Sequence, residues 1–187
     1  MKLNKILLIA LTLCINITGC SNSNQSFINK TDNTKPQEKT VISTDEKKYI
    51  QMSTYSNPRF GFSISYPENF TLDKSSDNDD GAEFGLKNAK LLSYGSNNVL
   101  DDTCKSIYEE KLKTITAESI ERKDIGDNYF FLSWKDKGMF YNTKTVVGNG
   151  SINTFVFSYP EDEREIYDSI SEQIEKSFKT PGIDEAH

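Results

Sequence analysis

The segment from residue 119 to residue 159 places the strongest constraint on how this 187-residue chain can fold. Apolar and polar residues alternate along it, which is the pattern of half-buried strands, and three short turns rich in Gly, Asn and Asp interrupt the alternation. The predicted strands are Ser119–Ile125, Tyr129–Lys135, Met139–Val147 and Ile152–Tyr159. Asn149-Gly150, between the last two strands, favours a type I′ hairpin, because both central residues of that turn need positive φ. The sequence therefore predicts an antiparallel meander.

Two amphipathic helices are predicted on either side of this meander in the sequence. Apolar residues recur at spacings of three and four in the first helix, where they are Cys104, Ile107, Tyr108, Leu112 and Ile115. In the second helix they repeat every four residues, at Ile166, Ile170, Ile174 and Phe178, with Tyr167 beside them. Acidic residues precede each stripe and lysines follow it, as the helix dipole favours. We expect both stripes to pack on the sheet.

The chain before the first helix is predicted to add a pair of strands. Aromatic and small residues alternate over residues 60–66, and a second alternating run starts at residue 82 and is expected to continue to residue 91. The acidic residues 75–81 between these runs suggest a calcium loop, but the EF-hand register fails because Lys87 occupies the place of the bidentate glutamate. We interpret residues 75–81 as a solvated turn.

The first 19 residues match a secretory signal. Lys2 and Lys5 precede an apolar run at residues 6–15, which is too short to cross about 30 Å of hydrocarbon. The following Ile17-Thr18-Gly19-Cys20 resembles the bacterial lipobox. This resemblance implies cleavage between Gly19 and Cys20, with an S-diacylglyceryl group and an N-acyl chain on Cys20. It also implies anchoring to the outer leaflet of the cell membrane of a bacterium. That bacterium would be Gram-positive if the residue usage reflects an AT-rich genome. Ordinary signal cleavage, which leaves Cys20 as a free thiol, is the alternative.

The sequence divides into a signal at residues 1–19, a lipid-anchored flexible tether at 20–54, a domain at 55–180 and a disordered tail at 181–187. The tether is too polar to bury a core, although Lys48–Tyr55 could instead begin the first strand. Loss of Lys2 and Lys5 with the signal leaves 20 basic against 28 acidic side chains, a net charge of −8. We therefore expect no nucleic-acid partner, and an anionic membrane would not hold the chain by charge.

Residues that could carry catalysis are few. Cys104 is the only cysteine after Cys20, so no disulfide is expected within the domain, and its place on an apolar stripe indicates a small buried hydrophobe. The only histidine is His187, which we expect at a frayed C-terminus, and we expect no cofactor or metal site. The carboxylates open to a glycosidase-type role are Glu83, Glu109, Glu110 and Asp124. The strand residues that could frame a binding face, or equally lie beneath a cover, are Ser63, Ser65, Thr143 and Thr145.

The segment Arg59–Pro67 (RFGFSISYP) resembles the first strand of PsbP-like domains, and the order of strand pair, helix, meander and closing helix is similar to theirs over residues 57–178. The resemblance implies an α+β fold, an α/β/α sandwich with a central antiparallel sheet, and no catalytic apparatus. Among the members of that family, this chain is matched to the bacterial lipoproteins. We therefore expect a membrane-anchored, extracytoplasmic, non-enzymatic binding or accessory module with a protein or cell-envelope partner. A carboxylate-dependent hydrolase or a small-ligand-binding lipoprotein is the alternative.

Overall fold

The computed structural model describes residues 50–187, and the predicted signal, Cys20 and nearly all of the predicted tether lie outside these residues. The strands are β1 Met52–Ser56, β2 Ser63–Pro67, β3 Thr71–Ser75, β4 Gly81–Leu86, β5 Ala89–Asn97, β6 Ile120–Ile125, β7 Tyr129–Asp136, β8 Met139–Val147 and β9 Ser151–Pro160. The helices are α1 Cys104–Lys113 and α2 Arg164–Ser177, with short 3₁₀ turns at Ala117–Ser119 and Glu161–Glu163.

Seven of these strands form one antiparallel sheet with the order β3-β4-β5-β9-β8-β7-β6. Strands β6 to β9 are the predicted meander, which is confirmed with bounds within one residue of those expected. Strand β9 also pairs with β5, so that the β3–β5 strands extend the meander on its C-terminal side. Strands β1 and β2 form a separate antiparallel pair.

The sheet separates two apolar cores. On one face, α2 and the β1–β2 pair enclose the larger core, which contains Phe131. On the other face, α1 encloses the smaller core, which contains Phe130, the residue that precedes Phe131 in β7. Adjacent residues of β7 enter opposite cores because successive side chains of a strand point to opposite faces. The result is the expected α+β sandwich with helices on both sides of an antiparallel sheet.

The beginning of the predicted strand at residues 60–66 is instead a turn. Gly61 has a φ of +64° and its N–H donates to the Asn57 carbonyl, and the Asn57 side chain accepts hydrogen bonds from the N–H groups of Arg59 and Phe60. The strand therefore starts at Ser63, although Phe60 and Phe62 are still fully buried. Burial of these aromatic residues, rather than strand pairing, explains their spacing.

The run at residues 82–91, predicted as one strand, folds into the hairpin of β4 and β5. The chain reverses at Lys87, which has a φ of +55°. Glycine or asparagine normally marks such a position, because a side chain disfavours positive φ. Because this position holds a lysine, the sequence contains no turn signal here and does not predict β5 as a separate strand.

Helix α1 has the predicted apolar face, but the register of α2 differs from the prediction. Tyr167, Ile170 and Ile174 are buried with the spacing of one helical face, whereas Ile166 is exposed. The expected repeat of every fourth residue from Ile166 is therefore wrong at its first member. Tyr167 takes that place in the core.

The C-terminal residues 181–187 are packed against the sheet, where the sequence suggests a disordered tail. The Ser151 N–H donates to the Ile183 carbonyl (2.9 Å), and the Ile183 side chain is buried. At the end of the chain, the His187 N–H donates to Asn97 Oδ1 (3.2 Å), so His187 is not frayed. Both expectations are corrected, because these contacts join residues far apart in sequence and no local pattern signals them.

The tail also changes the hairpin between β8 and β9. A Cβ added at Gly148 or Gly150 would overlap the backbone of Ile183 or Glu185, respectively, so these glycines provide room for the tail. Neither Asn149 nor Gly150 has positive φ, and the predicted type I′ turn is therefore wrong.

Consecutive residues with positive φ lie instead at the tip of the β7–β8 hairpin. Lys137 has a φ of +50° and Gly138 a φ of +78°. Two such residues in succession are what a type I′ turn requires.

Candidate functional site

Helix α1 covers only part of its face of the sheet. It packs on β7, on β8 and on the start of β9, and it leaves β4 and β5 uncovered within residues 50–187. Leu92 is 37% exposed and Tyr94 is 39% exposed, whereas Leu91 and Ser93 on the opposite face of β5 are fully buried. We call this surface the open face; its residues are Glu83, Lys90, Leu92, Tyr94 and Val156.

A groove of about 700 Å³ runs along the open face beside the β3–β4 hairpin. Leu92 and Tyr94 provide apolar lining, and the turn at residues 75–81 forms an acidic rim. Asp80 forms a 2.6 Å ion pair with Arg59, and the Asp79 carbonyl accepts a 2.7 Å hydrogen bond from Asn57 Nδ2. These long-range contacts hold the rim in place, so the predicted solvated turn is an ordered part of the groove.

The loop between β5 and α1 presents two further apolar side chains. Val99 is 80% exposed and Leu100 is 79% exposed. The loop backbone is nevertheless fixed, because buried Asn98 donates from Nδ2 to the carbonyls of Asp102 and Gly148 (both 2.9 Å). The loop therefore presents two adjacent apolar side chains to solvent on a fixed backbone.

The N-terminus of α1 explains why this loop ends where it does. Thr103 Oγ1 accepts a hydrogen bond from the Ser106 N–H, and Ser106 Oγ accepts one from the Thr103 N–H. This reciprocal capping box satisfies two N–H groups that the helix itself leaves unpaired. The loop is therefore confined to residues 98–102.

The four candidate carboxylates do not share a cavity within the described part of the chain. Glu83 lies on β4 and pairs with Lys90 at 2.6 Å. Glu109 and Glu110 lie on the solvent side of α1, where Lys105 and Lys113 are their ion-pair partners. Asp124 lies on edge strand β6 and pairs with Arg122 at 3.4 Å.

The four strand residues that could frame a binding face lie in two different parts of the fold. Thr143 and Thr145 are buried, and their hydroxyls bond to the Phe155 carbonyl (2.8 Å) and to Thr154 (2.9 Å). Ser63 and Ser65 lie on β2 at the other side of the sheet, half-buried. The four residues therefore do not frame one accessible face.

Cys104 and His187 are both packed against other residues of the fold. Cys104 is buried at the start of α1, and burial raises the pKa of its thiol, which disfavours the reactive thiolate. The His187 ring packs edge-on against Phe60, with 5.3 Å between ring centroids. Within residues 50–187 no group of three or more His, Cys, Asp or Glu side chains is arranged to hold a metal ion, and no helix there is long and apolar enough to span a membrane.

The open face was not predicted, although the sequence contains part of its signal. Leu92 and Tyr94 alternate with buried residues, but Leu91 next to Leu92 makes the run look apolar on both sides. Which half of the sheet α1 covers depends on tertiary packing and has no local pattern.

Comparison with family models and with curated protein sequences finds no match to this chain. Among solved structures, the chain is similar to the solution structure of cyanobacterial PsbP (CyanoP) from Synechocystis sp. PCC 6803. The TM-score is 0.52 and the sequence identity is 16%, and the match covers 75% of this chain and 98% of that one. This likeness shows a PsbP-like fold, as the segment Arg59–Pro67 and the order of elements suggest.

Proposed function

We propose that this chain is a membrane-anchored, extracytoplasmic accessory module that binds a protein partner through the open face and catalyses no reaction. The observation that carries this proposal is the exposure of Leu92 and Tyr94 on a central region of the sheet, beside a groove of about 700 Å³. A sheet normally buries such side chains, and tyrosine at the centre of a surface patch is a common anchor of protein interfaces.

The charge around the groove indicates the kind of partner. Asp77 and Asp80 form an acidic rim next to an apolar floor, and the chain after residue 19 has a net charge of −8. A partner segment with lysine or arginine beside apolar side chains would match both features. Charge complementarity of this type speeds association and selects partners more than it adds affinity.

The anchor in this proposal is lipid on Cys20. The supporting observation is the sequence Ile17-Thr18-Gly19-Cys20 after a short apolar run. Two or more acyl chains give stable anchoring at about 0.8 kcal/mol per buried CH₂ group. A coil of the length of residues 20–49 has an end-to-end distance on the order of 30 Å, which would let the domain reach a partner in the same membrane.

Lipid attachment is tested by metabolic labelling with palmitate. We expect Cys20→Ala to abolish the label and to release the protein from the membrane fraction. Cys104→Ala is the matched control, because it removes the other cysteine of the processed chain and should leave the label unchanged. Retention of the label in Cys20→Ala would contradict the anchor.

Partner binding is tested by crosslinking and capture of the tagged full chain from its own membranes. We expect a partner recovered with the native chain to be lost with Leu92→Asp, which places a charge in the apolar floor of the groove. Ile166→Asp is the control, because Ile166 is 56% exposed on α2 at the other side of the sheet. Equal recovery with Leu92→Asp and the native chain would argue against the open face.

A further inference from the structure

A polar cavity of about 240 Å³ lies on the other side of the sheet, and the proposed function does not use it. We call it the polar cleft. Its floor is formed by Ser133 of β7, Asn142 of β8 and Tyr159 of β9, and Ser171 of α2 lines one side of it. All four side chains are at least nine-tenths buried. Apolar residues would be the ordinary choice on a sheet face that a helix covers.

Several polar atoms of the cleft have unused hydrogen-bonding capacity. Asn142 Nδ2 donates to the Tyr159 hydroxyl (3.2 Å), which in turn donates to Asp168 Oδ1 (2.8 Å). Within residues 50–187 no hydrogen bond joins Asn142 Oδ1 or the hydroxyls of Ser133 and Ser171, and these atoms are not among the fully buried polar atoms that lack a partner, so they face the solvent-accessible space of the cleft. A molecule that bonded to these atoms would take the place of water, with a net gain of about 0.5–1.5 kcal/mol per hydrogen bond.

The walls of the cleft carry charges that are already paired. Arg164 Nε contacts both oxygens of Asp168 (3.3 Å each), and Arg164 Nη1 contacts Glu121. Two nitrogens of Arg122 contact the two oxygens of Glu175 (2.8 and 3.1 Å). A charged ligand would have to break these pairs and leave a partner uncompensated, which is unfavourable.

The two guanidinium groups are also held in place by aromatic rings. The Arg164 guanidinium carbon lies 4.0 Å from the centroid of the Phe140 ring, and that of Arg122 lies 4.1 Å from the Phe131 centroid. The hydrogen bonds of Arg164 use Nε and Nη1, so its Nη2 remains available as a donor. The cleft thus offers a fixed donor in addition to the acceptor on Asn142.

Burial and Asp168 raise the pKa of Tyr159, so its hydroxyl remains protonated and remains a donor to Asp168 at physiological pH. The Tyr159 hydroxyl on the floor of the cleft therefore keeps the same hydrogen-bonding role throughout the physiological pH range.

We infer that the polar cleft binds a small neutral molecule that carries both hydroxyl and amide groups, with the size of a single acetamido sugar. Its hydroxyls would bond to Ser133 and Ser171, and its amide would donate to Asn142 Oδ1 and accept from Arg164. The volume is below the range of about 300–1,000 Å³ of pockets for larger ligands, which favours one sugar unit.

Amide NMR of the full chain, titrated with N-acetylglucosamine and separately with glucose, tests this inference. We expect saturable shifts at residues 133, 142 and 171 with N-acetylglucosamine and weaker binding of glucose, which lacks the amide. Ser133→Ala and Asn142→Ala should each weaken binding about tenfold, the equivalent of one lost hydrogen bond. Equal affinity for both sugars would overturn the amide contact, and absence of saturable shifts with either would overturn the inference as a whole.

Ser93→Ala is the matched control variant. Ser93 is fully buried on the same face of the sheet and its hydroxyl also lacks a partner, but it does not line the cleft. The Ser93→Ala substitution should leave the affinity for N-acetylglucosamine unchanged. Where Asn142→Ala fails to fold, Arg164→Lys keeps the charge and removes the planar donor, and it should weaken binding to a similar degree. Unchanged affinity in both Ser133→Ala and Arg164→Lys would overturn the site.

Discussion

Replacement of Gly150 by alanine should detach the C-terminal tail from the β8–β9 hairpin. The backbone of Gly150 is not in the positive-φ region, so alanine itself is permitted there. The added Cβ, however, would overlap the Glu185 backbone. The steric effect therefore acts on the tail and not on the hairpin.

The magnitude follows from the contacts between the tail and the hairpin. The Ser151 N–H donates to the Ile183 carbonyl (2.9 Å), and the Asn149 N–H donates to Asp184 Oδ1 (2.9 Å). Loss of these two hydrogen bonds from backbone N–H groups at about 1 kcal/mol each predicts a decrease of about 2 kcal/mol in the free energy of unfolding. The longer bond from Ser151 Oγ to the same Ile183 carbonyl (3.2 Å) adds less, because that carbonyl is shared. Exposure of Ile183 would add to this decrease, and the entropy gained by the freed tail would offset part of it.

The assay is urea unfolding followed by the fluorescence of Trp134, the only tryptophan, which is buried under α1. Gly150→Ala is measured in the full chain and in a chain that ends at Gly182. We expect the substitution to cost about 2 kcal/mol in the full chain and less than about 0.5 kcal/mol in the shortened one, because its contact is then absent. Gly182→Ala in the full chain is the control, since its Cβ would meet no atom closer than 3.6 Å. An equal cost in both chains would refute the reasoning.

Two further predictions concern buried titratable groups. Burial lowers the pKa of Lys111, so the unfolded chain binds this proton more tightly than the folded chain does. The free energy of unfolding of the native chain relative to Lys111→Met should therefore rise with pH as the pH approaches about 10. A difference between the two urea unfolding curves that does not change with pH would contradict this. Tyr159→Phe should cost about 1–3 kcal/mol at neutral pH, because Asn142 Nδ2 loses its acceptor. Since burial raises the pKa of Tyr159, its contribution should be present below about pH 10 and be lost as pH rises further, and equal pH slopes in both chains would contradict this.

The meander could be predicted from sequence because its signals are local. Alternation fixes each strand, and turn residues such as Gly138 separate them. The β4–β5 hairpin could not, because Lys87 adopts a positive φ without the usual glycine. The packed tail could not either, because its contacts join Ile183 to Ser151 across a long stretch of chain.

The candidate sites were less accessible to sequence reasoning than the fold. The open face depends on which half of the sheet α1 covers, and the polar cleft depends on the meeting of four elements. Ser133 and Asn142 appear in the sequence as ordinary polar positions of alternating strands. Only the register of β7 and β8, which places these two residues opposite each other beneath α2, shows that they are buried.

The most direct test of the central claim is site-specific photocrosslinking of the full chain in its native membrane. A benzophenone amino acid is placed at Tyr94 on the open face or at Ile166 on the outer side of α2, both exposed positions on opposite sides of the sheet. The account predicts a discrete crosslinked protein species from position 94 and none from position 166. The same species from both positions, or a species from position 166 alone, would contradict a partner on the open face.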